Sequence, residues 1–316
     1  MRVDDIKKVA VIGAGLMGHG IAQEFARAGY EVGLNDVSED ALENAIAGMK
    51  TNFAMLECEG LVGDGEGKKA IERVNTNVDV GETVAGADFV IEAMIENLEL
   101  KLEMFEKLDA LCDLDTILAT NSSSYMPSKV AAATKRPEKV VGTHYFNPPF
   151  LMPLVEIIKS DQTSDETAQV AYDLMAKIGK SPVMVQKEVP GFIGNRIQIA
   201  IWREILWMLE EGVATPRDID TVVKTSLGRR LSVAGPFEVT ELTSLAMKQA
   251  IMEELLPSMT GTQNVSPILK EKVDRGELGI RSGKGFYEWT PETGEELRQR
   301  VAKALIEIEK WNREGK

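Results

Sequence analysis

Cysteine and histidine are both scarce in this chain, which has two of each among 316 residues. Cys58 and Cys112 have no neighbour at the spacing of zinc ligands or of a redox pair, so the sequence indicates neither a disulfide framework nor a metal site. Isolated thiols of this kind are mostly small buried or half-buried side chains, and we expect both to be so. The two histidines, His19 and His144, leave few candidates for a catalytic base.

Positive charge and long apolar runs are also lacking. Lysine and arginine number 36 against 50 aspartate and glutamate residues, which gives a formal net charge of −14. An acidic surface repels phosphate backbones and anionic lipids, so neither nucleic acid nor a membrane is an expected partner. No apolar run approaches the roughly 20 residues that cross a bilayer, and the first residues lead into a strand rather than a signal sequence. The expected location is the cytoplasm.

Length and patterning predict two domains. The chain is 44% hydrophobic and 27% charged, which is the composition of an ordinary globular protein, and 316 residues are enough for two cores. The first part alternates short apolar runs with helical periods, which is typical of a doubly wound, mostly parallel α/β sheet. Strands are expected at about residues 9–12, 31–36, 87–92, 116–120, 140–146, 154–159 and 182–186.

After Gln186 the pattern becomes almost entirely helical. The predicted domains are therefore residues 1–187 and residues 188–316. The helical part carries more apolar residues, Trp202 and Trp207 among them, than one compact layer usually hides. This excess favours a homodimer that forms through the C-terminal helical domain.

A glycine-rich turn follows the first predicted strand. The segment from Gly13 to Gly18 fits the pattern GxGxxG, a helix follows it, and Asp36 stands 18 residues after Gly18 at the end of the next strand. Such a turn lets a diphosphate approach the backbone at a helix N-terminus, while the acid accepts hydrogen bonds from an adenosine ribose. The predicted cofactor contacts of the turn are Gly13, Gly15, Leu16, Met17 and Gly18.

The acid at position 36 also bears on which dinucleotide binds. A 2′-phosphate beside Asp36 would be repelled, so the sequence favours NAD over NADP. FAD uses the same glycine pattern, but the chain has no second flavin-specific element. The alternative for the turn is a structural connection that binds no ligand.

The two histidines stand in different places. His19 lies in the first turn of the helix after the glycine motif, where packing or a neighbouring phosphate accounts for it. His144 lies near the C-terminal end of the strand predicted at residues 140–146, at the sheet edge where α/β proteins bind ligands. After a turn through Pro148 and Pro149, the next strand carries Glu156 among apolar residues, where a carboxylate needs a partner. We expect Glu156 to hold His144 as a general base, the alternative being a core salt link without chemistry.

Small polar side chains follow another strand end. The run from Asn121 to Ser124 comes directly after the strand that ends at Thr120, and Asn195 stands in the first turn of the helix that starts the second domain. Hydroxyl and amide groups that converge on a histidine are suited to hold a substrate oxygen. Serine-rich turns are also common as plain helix caps, and that interpretation of Ser122 and Ser124 stays open.

Seven segments in chain order, several of them long, match the pattern of one family: VAVIGAGLMGHGIA, FVIEAMIENLELK, ATNSSS, HYFNPPFLMPLVEII, EVPGFIGNR, AGPFE and SGKGFYEW. From end to end, they resemble the L-3-hydroxyacyl-CoA dehydrogenase family. The resemblance implies a Rossmann-type doubly wound sheet followed by an all-helical C-terminal domain that dimerises. It also implies NAD-linked interconversion of a 3-hydroxyacyl-CoA and a 3-ketoacyl-CoA.

The resemblance carries roles onto individual residues. The four implied for the chemistry are the base His144, its orienting acid Glu156 and the substrate contacts Ser123 and Asn195. Further NAD contacts are implied for Glu96, Lys101 and Asn147. We expect Asn121, at the start of the serine run, to contact the cofactor as well.

Two stretches depart from the family pattern. Members that use CoA thioesters present lysines from the helix after the second strand, whereas this chain has an acidic stretch around Glu57 and Glu59. Acids near phosphates repel them, and Lys50, Lys68 and Lys69 compensate only if they face the nucleotide.

The C-terminal domain is more similar to the L-carnitine and L-gulonate dehydrogenase relatives, which act on free polar 3-hydroxy compounds. There Arg229 or Arg230 would pair a substrate carboxylate, unless both are solvated surface charges. A third possibility is an NAD-binding structural protein without catalysis, because one relative of the family serves as an abundant lens protein.

Overall fold

A computed structural model describes residues 1–314 of the chain, which divides into two compact units between Asn195 and Arg196. Sequence analysis places the domain boundary eight residues earlier, after residue 187, and that boundary stays a prediction. In the structure the backbone N–H groups of Ile193 and Gly194 bond to Glu156 in the first unit. These bonds tie the segment after residue 187 to the sheet.

The first unit contains an eight-stranded sheet. In chain order its strands are β1 (Lys8–Ile12), β2 (Glu31–Asn35), β3 (Val74–Asn77), β4 (Phe89–Glu92), β5 (Ile117–Thr120), β6 (Val140–Tyr145), β7 (Leu154–Ile158) and β8 (Ser181–Val185). Their order across the sheet is β3-β2-β1-β4-β5-β6-β7-β8. Neighbouring strands are parallel except β6 and β7, which run antiparallel. The doubly wound α/β sheet predicted from the sequence is confirmed.

The central strands are apolar because they are enclosed. Every residue of β4, β5 and β6 is buried, which is typical of parallel strands covered by crossover helices. Strand β3 was not predicted, because its sequence Val-Asn-Thr-Asn has no apolar run. It lies at the edge of the sheet beside β2 and is half-exposed, so polar side chains are tolerated there.

Seven helices connect these strands. They are α1 (Leu16–Arg27), α2 (Glu39–Cys58), α3 (Glu66–Ile71), α4 (Val80–Val84), α5 (Leu98–Leu111), α6 (Pro127–Ala131) and α7 (Asp165–Lys177). Local capping explains where several begin. The Ser38 hydroxyl accepts the N–H of Ala41 at the start of α2, and the Asn97 side chain accepts the N–H of Leu100 at the start of α5.

The described residues of the second unit are mainly helical, as predicted. The helices from the division onward are α8 (Gly194–Glu210), α9 (Pro216–Thr225), α10 (Leu227–Leu231), α11 (Pro236–Glu241), α12 (Leu245–Leu255), α13 (Pro267–Asp274) and α14 (Pro291–Glu314). Helix α9 begins with Thr215 as its cap and Pro216 in its first position, because proline lacks the N–H that a first turn leaves unbonded.

The prediction that both cysteines are buried or half-buried is correct for one of them and wrong for the other. Cys112 is buried, but Cys58 in the last turn of α2 is exposed. Leu56, two residues earlier and on the opposite side of the helix, takes the buried position instead. Within residues 1–314 no group of histidine, cysteine, aspartate or glutamate side chains is arranged to hold a metal ion. Over the same range, no helix is both long and apolar enough to span a membrane.

Candidate active site

In the turn between β1 and α1, each of the three motif glycines has a different structural reason to be glycine. Gly13 has a φ of +104°, and a Cβ atom there would lie 2.6 Å from the carbonyl oxygen of Ala93. A Cβ atom at Gly18 would overlap the carbonyl oxygen of Gly13. By contrast, a Cβ atom at Gly15 would have no atom within 4 Å, so this glycine borders open space. Two of the glycines are needed for the fold, and the third leaves a cradle free.

That cradle fits the diphosphate of a dinucleotide. Gly15 is the N-cap of α1, so the N–H groups of Leu16, Met17 and Gly18 have no acceptor within the helix. These N–H groups are exposed at the N-terminus of α1, where the peptide dipoles favour an anion. The half-buried Asp36 lies beside the turn, where one carboxylate oxygen accepts the N–H of Ala14 at 2.8 Å. A ribose next to the diphosphate would find this carboxylate fixed in place.

His19 belongs to the same turn. Its Nδ1 atom is 2.8 Å from the carbonyl oxygen of Gly15, and its ring lies close to Gly48 of α2. The structure therefore gives His19 a contact with the turn and a packing contact with α2, in keeping with the role expected for it.

The second feature is a pair formed by His144 and Glu156. His144 on β6 and Glu156 on β7 are register partners in the antiparallel ladder, and both side chains are buried. The Nδ1 atom of His144 is 2.7 Å from Oε2 of Glu156. The imidazole ring packs against Phe146 and Phe192, with centroid distances of 4.7 and 5.4 Å. The contact that the Pro148-Pro149 turn suggested is present.

Glu156 is held from two sides. Its Oε1 atom accepts the N–H groups of Ile193 and Gly194, each at 2.9 Å, while Oε2 bonds to His144. Burial acts to raise the pKa of Glu156, but the hydrogen bonds from His144 and from these two N–H groups bring it below its ordinary value. An ionised carboxylate only accepts hydrogen bonds, so Nδ1 of His144 is the donor in this contact, and a neutral imidazole held in this way carries its lone pair on Nε2.

The serine turn, residues 121–124, lies at the same edge of the sheet. Strands β5 and β6 are parallel, so the turn that follows β5 and His144 near the end of β6 are both at their carboxyl ends. The Asn121 side chain joins the two strands by accepting the N–H of Tyr145 at 2.9 Å. Ser122 is buried, whereas Ser123 is exposed. Ser123 is thus free to contact a ligand at this edge.

Behind the serine turn is a cluster of charged side chains that sequence reasoning found only in part. Lys101 is completely buried, and its ammonium group lies 2.6 Å from Glu92 and 3.2 Å from Glu96. Glu92 was not predicted to belong to the site. The signal that could have found it is an acid that ends an apolar strand, nine residues before a lysine in FVIEAMIENLELK.

Glu96 contacts the turn directly. Its Oε1 atom accepts the hydroxyl of Ser122 at 2.5 Å and the N–H of Ser124 at 2.9 Å. Burial acts to raise the pKa of Glu96, but the Ser122 hydroxyl, the Lys101 charge and the Ser124 N–H lower it below its ordinary value. In this structure the Lys101 side chain has no exposed surface, so its direct contact with NAD stays a prediction.

The remaining predicted residues are spread more widely. Asn147 is exposed in the turn after β6, and Asn195 is half-buried in the first turn of α8, next to the Gly194 that bonds to Glu156. Arg229 and Arg230 are exposed on α10 in the second unit. The structure gives neither arginine an ion pair within residues 1–314, and their predicted contact with substrate stays untested.

Comparison with known proteins identifies chains that are similar over most of the length of this one. Residues 8–189 match the family model of the 3-hydroxyacyl-CoA dehydrogenase NAD binding domain, and residues 191–289 match that of the 3-hydroxyacyl-CoA dehydrogenase C-terminal domain. The chain is 38% identical over 290 residues to a probable 3-hydroxybutyryl-CoA dehydrogenase of Bacillus subtilis, covering 92% of this chain and 99% of that one.

A second relative is named for a different substrate. The 5-formyl-3-hydroxy-2-methylpyridine 4-carboxylate 5-dehydrogenase of Mesorhizobium japonicum is 34% identical over 303 residues, covering 96% of this chain and 97% of its own. A crystal structure of an enzyme with this activity, described as an NAD⁺-dependent dismutase, superposes with a TM-score of 0.90 at 34% identity and the same coverage. The (S)-3-hydroxybutyryl-CoA dehydrogenase structure from Ralstonia eutropha gives 0.76 at 32% identity, over 90% of this chain and 99% of that one.

Proposed function

Because the chain belongs to the 3-hydroxyacyl-CoA dehydrogenase family, we propose that it interconverts an L-3-hydroxyacyl-CoA and the corresponding 3-ketoacyl-CoA. The protein is an NAD-dependent oxidoreductase, and NAD is the cofactor of the domain matched by residues 8–189. The observation that carries the proposed chemistry is the 2.7 Å contact between His144 Nδ1 and the Glu156 carboxylate at the ligand-binding edge of the sheet.

His144 acts as the general base in the direction of oxidation. Its Nε2 lone pair accepts the proton of the substrate 3-hydroxyl group, and the imidazolium that forms is stabilised by Glu156. Bound NAD⁺ would supply the acceptor for the hydride that leaves the carbon carrying that hydroxyl group. In the reverse direction the imidazolium returns the proton to the 3-keto oxygen. The Phe146 and Phe192 rings keep His144 buried and limit the access of water to it.

Other residues hold the substrate and the cofactor. Ser123 is exposed at the sheet edge and donates a hydrogen bond to the substrate oxygen, while Asn195 supplies an amide from the first turn of α8. The turn from Gly13 to Gly18 holds the diphosphate of NAD, and Asp36 accepts hydrogen bonds from its adenosine ribose. Glu96, Asn121 and Asn147 complete the proposed cofactor side, with Lys101 buried behind Glu96.

The region after β2 is compatible with a CoA nucleotide despite its acids. Lys50, Lys68 and Lys69 are exposed on α2 and α3, where their ammonium groups can reach phosphates. Two of the acids have local roles. Glu57 accepts the N–H of Gly67 at 3.1 Å, and Glu66 accepts that of Gly63 at 3.0 Å. These bonds fix the two carboxylates locally but leave their charges, so the three exposed lysines are what would offset the acidic stretch near CoA.

A free hydroxy acid or polar alcohol is the second candidate substrate. The observation that favours it is the TM-score of 0.90 with a dehydrogenase named for a pyridine carboxylate, against 0.76 with one named for a CoA thioester. In this case Arg229 or Arg230 would pair the substrate carboxylate, as the guanidinium fork does well. The chemistry of His144 and Glu156 would be the same for both substrates.

A paired assay separates the two candidates. NADH consumption is measured with acetoacetyl-CoA and with a panel of free 3-keto acids that includes acetoacetate. Turnover of acetoacetyl-CoA is expected, and the double variant Lys68→Ala/Lys69→Ala should raise its KM without changing the KM for NADH. The variant Lys107→Ala, which removes an exposed lysine from α5, is the matched control. Activity with free keto acids alone would exclude the thioester and leave the second candidate.

We also propose that the protein is a homodimer through its helical domain. Large apolar side chains are exposed on α11, on α12 and between them, namely Phe237 at 84%, Leu245 at 64% and Leu242 at 79%. Apolar surface of this extent is typical of a protein interface. Light scattering after gel filtration should give twice the chain mass, and Leu245→Glu should give a monomer while Gln249→Glu on the same helix does not. A monomeric wild-type protein would contradict the proposal.

The proposed compartment is the cytoplasm. Cys58 and Cys112 are both free thiols, and a reducing compartment keeps thiols in that state.

A further inference from the structure

Three ionisable side chains meet in the first unit behind the serine turn, and we refer to Glu92, Glu96 and Lys101 as the carboxylate–lysine cluster. The Glu92 and Lys101 side chains have no exposed surface, while that of Glu96 is about one-third exposed at 35%. With two carboxylates around one ammonium group, the cluster has a formal charge of −1. Removing charges from water is expensive, so a buried pair of this kind adds little stability by itself.

The cluster is bonded to the serine turn by two routes. Glu96 accepts both the Ser122 hydroxyl and the Ser124 N–H, so it holds the residues on either side of Ser123. Glu92 accepts the Thr120 hydroxyl at 2.7 Å, and the same Thr120 oxygen accepts the N–H of Ser122 at 3.1 Å. Ser123 itself is exposed between these two anchored neighbours.

Lys101 is the side chain that makes this arrangement possible. Its ammonium group lies within 3.2 Å of both carboxylates. Without this positive charge the two nearby carboxylates would repel each other. It reaches them from the first part of α5, which Asn97 caps. Glu92 in turn also accepts the N–H of Met94 at 2.7 Å, so its carboxylate is fixed at the end of β4.

We infer that Glu92 and Lys101 are positioning residues, whose buried ion pair holds Glu96 against the serine turn and thereby fixes Ser123 where it meets the substrate. The inference rests on the proposed function in one respect, the contact of Ser123 with the substrate. The bonding of the cluster to the turn is independent of which substrate binds.

The first test measures coupling between Lys101 and Ser123. Lys101→Met should lower kcat/KM by about tenfold to a hundredfold, as expected when a reacting group is slightly misplaced. If Lys101 acts through Ser123, then adding Lys101→Met to Ser123→Ala should lower kcat/KM by less than about twofold more. Glu92→Gln, which keeps the shape of the side chain, is tested in the same way. If Lys101→Met does not fold, the measurements on Glu92→Gln decide the test.

The chain offers a matched control on the same helix. Asp109, further along α5, pairs with Arg136 at 2.9 Å, and both side chains are almost completely buried. Asp109→Asn also removes a buried ion pair, but that pair has no bond to the serine turn. Any loss of kcat/KM that it causes should be the same fold-change in the wild-type background and in the Ser123→Ala background, because independent effects multiply.

The second test needs no turnover. Hydrogen exchange of the backbone N–H groups in residues 121–126 should be faster in Lys101→Met and Glu92→Gln than in wild type, and unchanged in Asp109→Asn. Unchanged exchange in the cluster variants, or losses of kcat/KM that multiply with Ser123→Ala, would overturn the inference. If the wild-type protein turns over no tested substrate, the proposed function fails, and the exchange measurement still decides whether the cluster holds the turn.

Discussion

Glu156 lies directly opposite His144 in the ladder between β6 and β7, with His144 Nδ1 2.7 Å from its carboxylate. Register partners in an antiparallel pair present their side chains on the same face of the sheet, so backbone pairing alone brings acid and base together. The segment that enters α8 adds two N–H bonds, from Ile193 and Gly194, to the other carboxylate oxygen. The orientation of the base therefore depends on the sheet and on the segment that enters α8.

Replacement of His144 by alanine should remove the chemistry and spare cofactor binding. A positioned general base contributes about 10²- to 10⁴-fold, so His144→Ala should lower kcat by that factor. The affinity for NADH, measured by its fluorescence on binding, should stay within about twofold because the glycine turn is untouched. Near wild-type turnover in a variant that binds NADH normally would show that another group is the base.

Glu156 should make the stability of the protein depend on pH. Its folded pKa is lowered from the ordinary value of 4.5, so the unfolded chain binds a proton at this residue before the folded chain does. The stabilisation is present above about pH 4.5 and is lost as the pH falls through the folded pKa. Denaturant titrations should therefore give a smaller decrease in the free energy of unfolding on acidification for Glu156→Gln than for wild type. Parallel profiles would contradict this sign.

Alanine should have different effects at two glycines of the cofactor turn, on cofactor binding at Gly15 and on folding at Gly18. Gly15→Ala places a methyl group in open space at a φ of −65°, which alanine adopts readily, so Tm should be unchanged while NADH affinity falls. Gly18→Ala makes a methyl group overlap the Gly13 carbonyl oxygen, so this variant should be poorly folded. Thermal unfolding and NADH titration measure both effects. Full NADH affinity in Gly15→Ala would place the diphosphate elsewhere.

Much of this organisation could be predicted because it depends on short stretches of sequence. The spacing from Gly13 to Gly18 defines the glycine turn. The contact between His144 and Glu156 follows from two strands that are joined through a proline-rich turn. The burial of Lys101 between two acids could not be predicted from the sequence, because it depends on how α5 packs against the end of β4. Strand β3 was missed for a related reason, since pairing with β2 rather than apolar content makes it a strand.

The two thiols should differ in their reaction with an alkylating reagent. Cys58 is exposed on α2, whereas Cys112 is buried, and burial raises the pKa of its thiol from 9.0 to about 11. Because only the thiolate reacts, Cys112 should stay unmodified in the folded protein at neutral pH while Cys58 is labelled. Both should react in denaturant. Peptide mapping by mass spectrometry identifies the labelled residue, and rapid native labelling of Cys112 would contradict its burial.

Asp36 should determine the preference for NAD over NADP. Its carboxylate carries a negative charge beside the turn, and one oxygen accepts the N–H of Ala14 at 2.8 Å. Asp36→Asn keeps an oxygen for that bond but removes the charge that repels a 2′-phosphate and weakens the acceptor for the ribose. The ratio of kcat/KM for NAD to that for NADP should fall by about tenfold or more, since hydrogen bonds to charged groups contribute roughly 1.5–3 kcal/mol. Asp40→Asn removes an equal charge from the exposed first turn of α2 and should leave the ratio unchanged. An unchanged ratio in Asp36→Asn, with Tm preserved, would mean that the ribose binds away from this carboxylate.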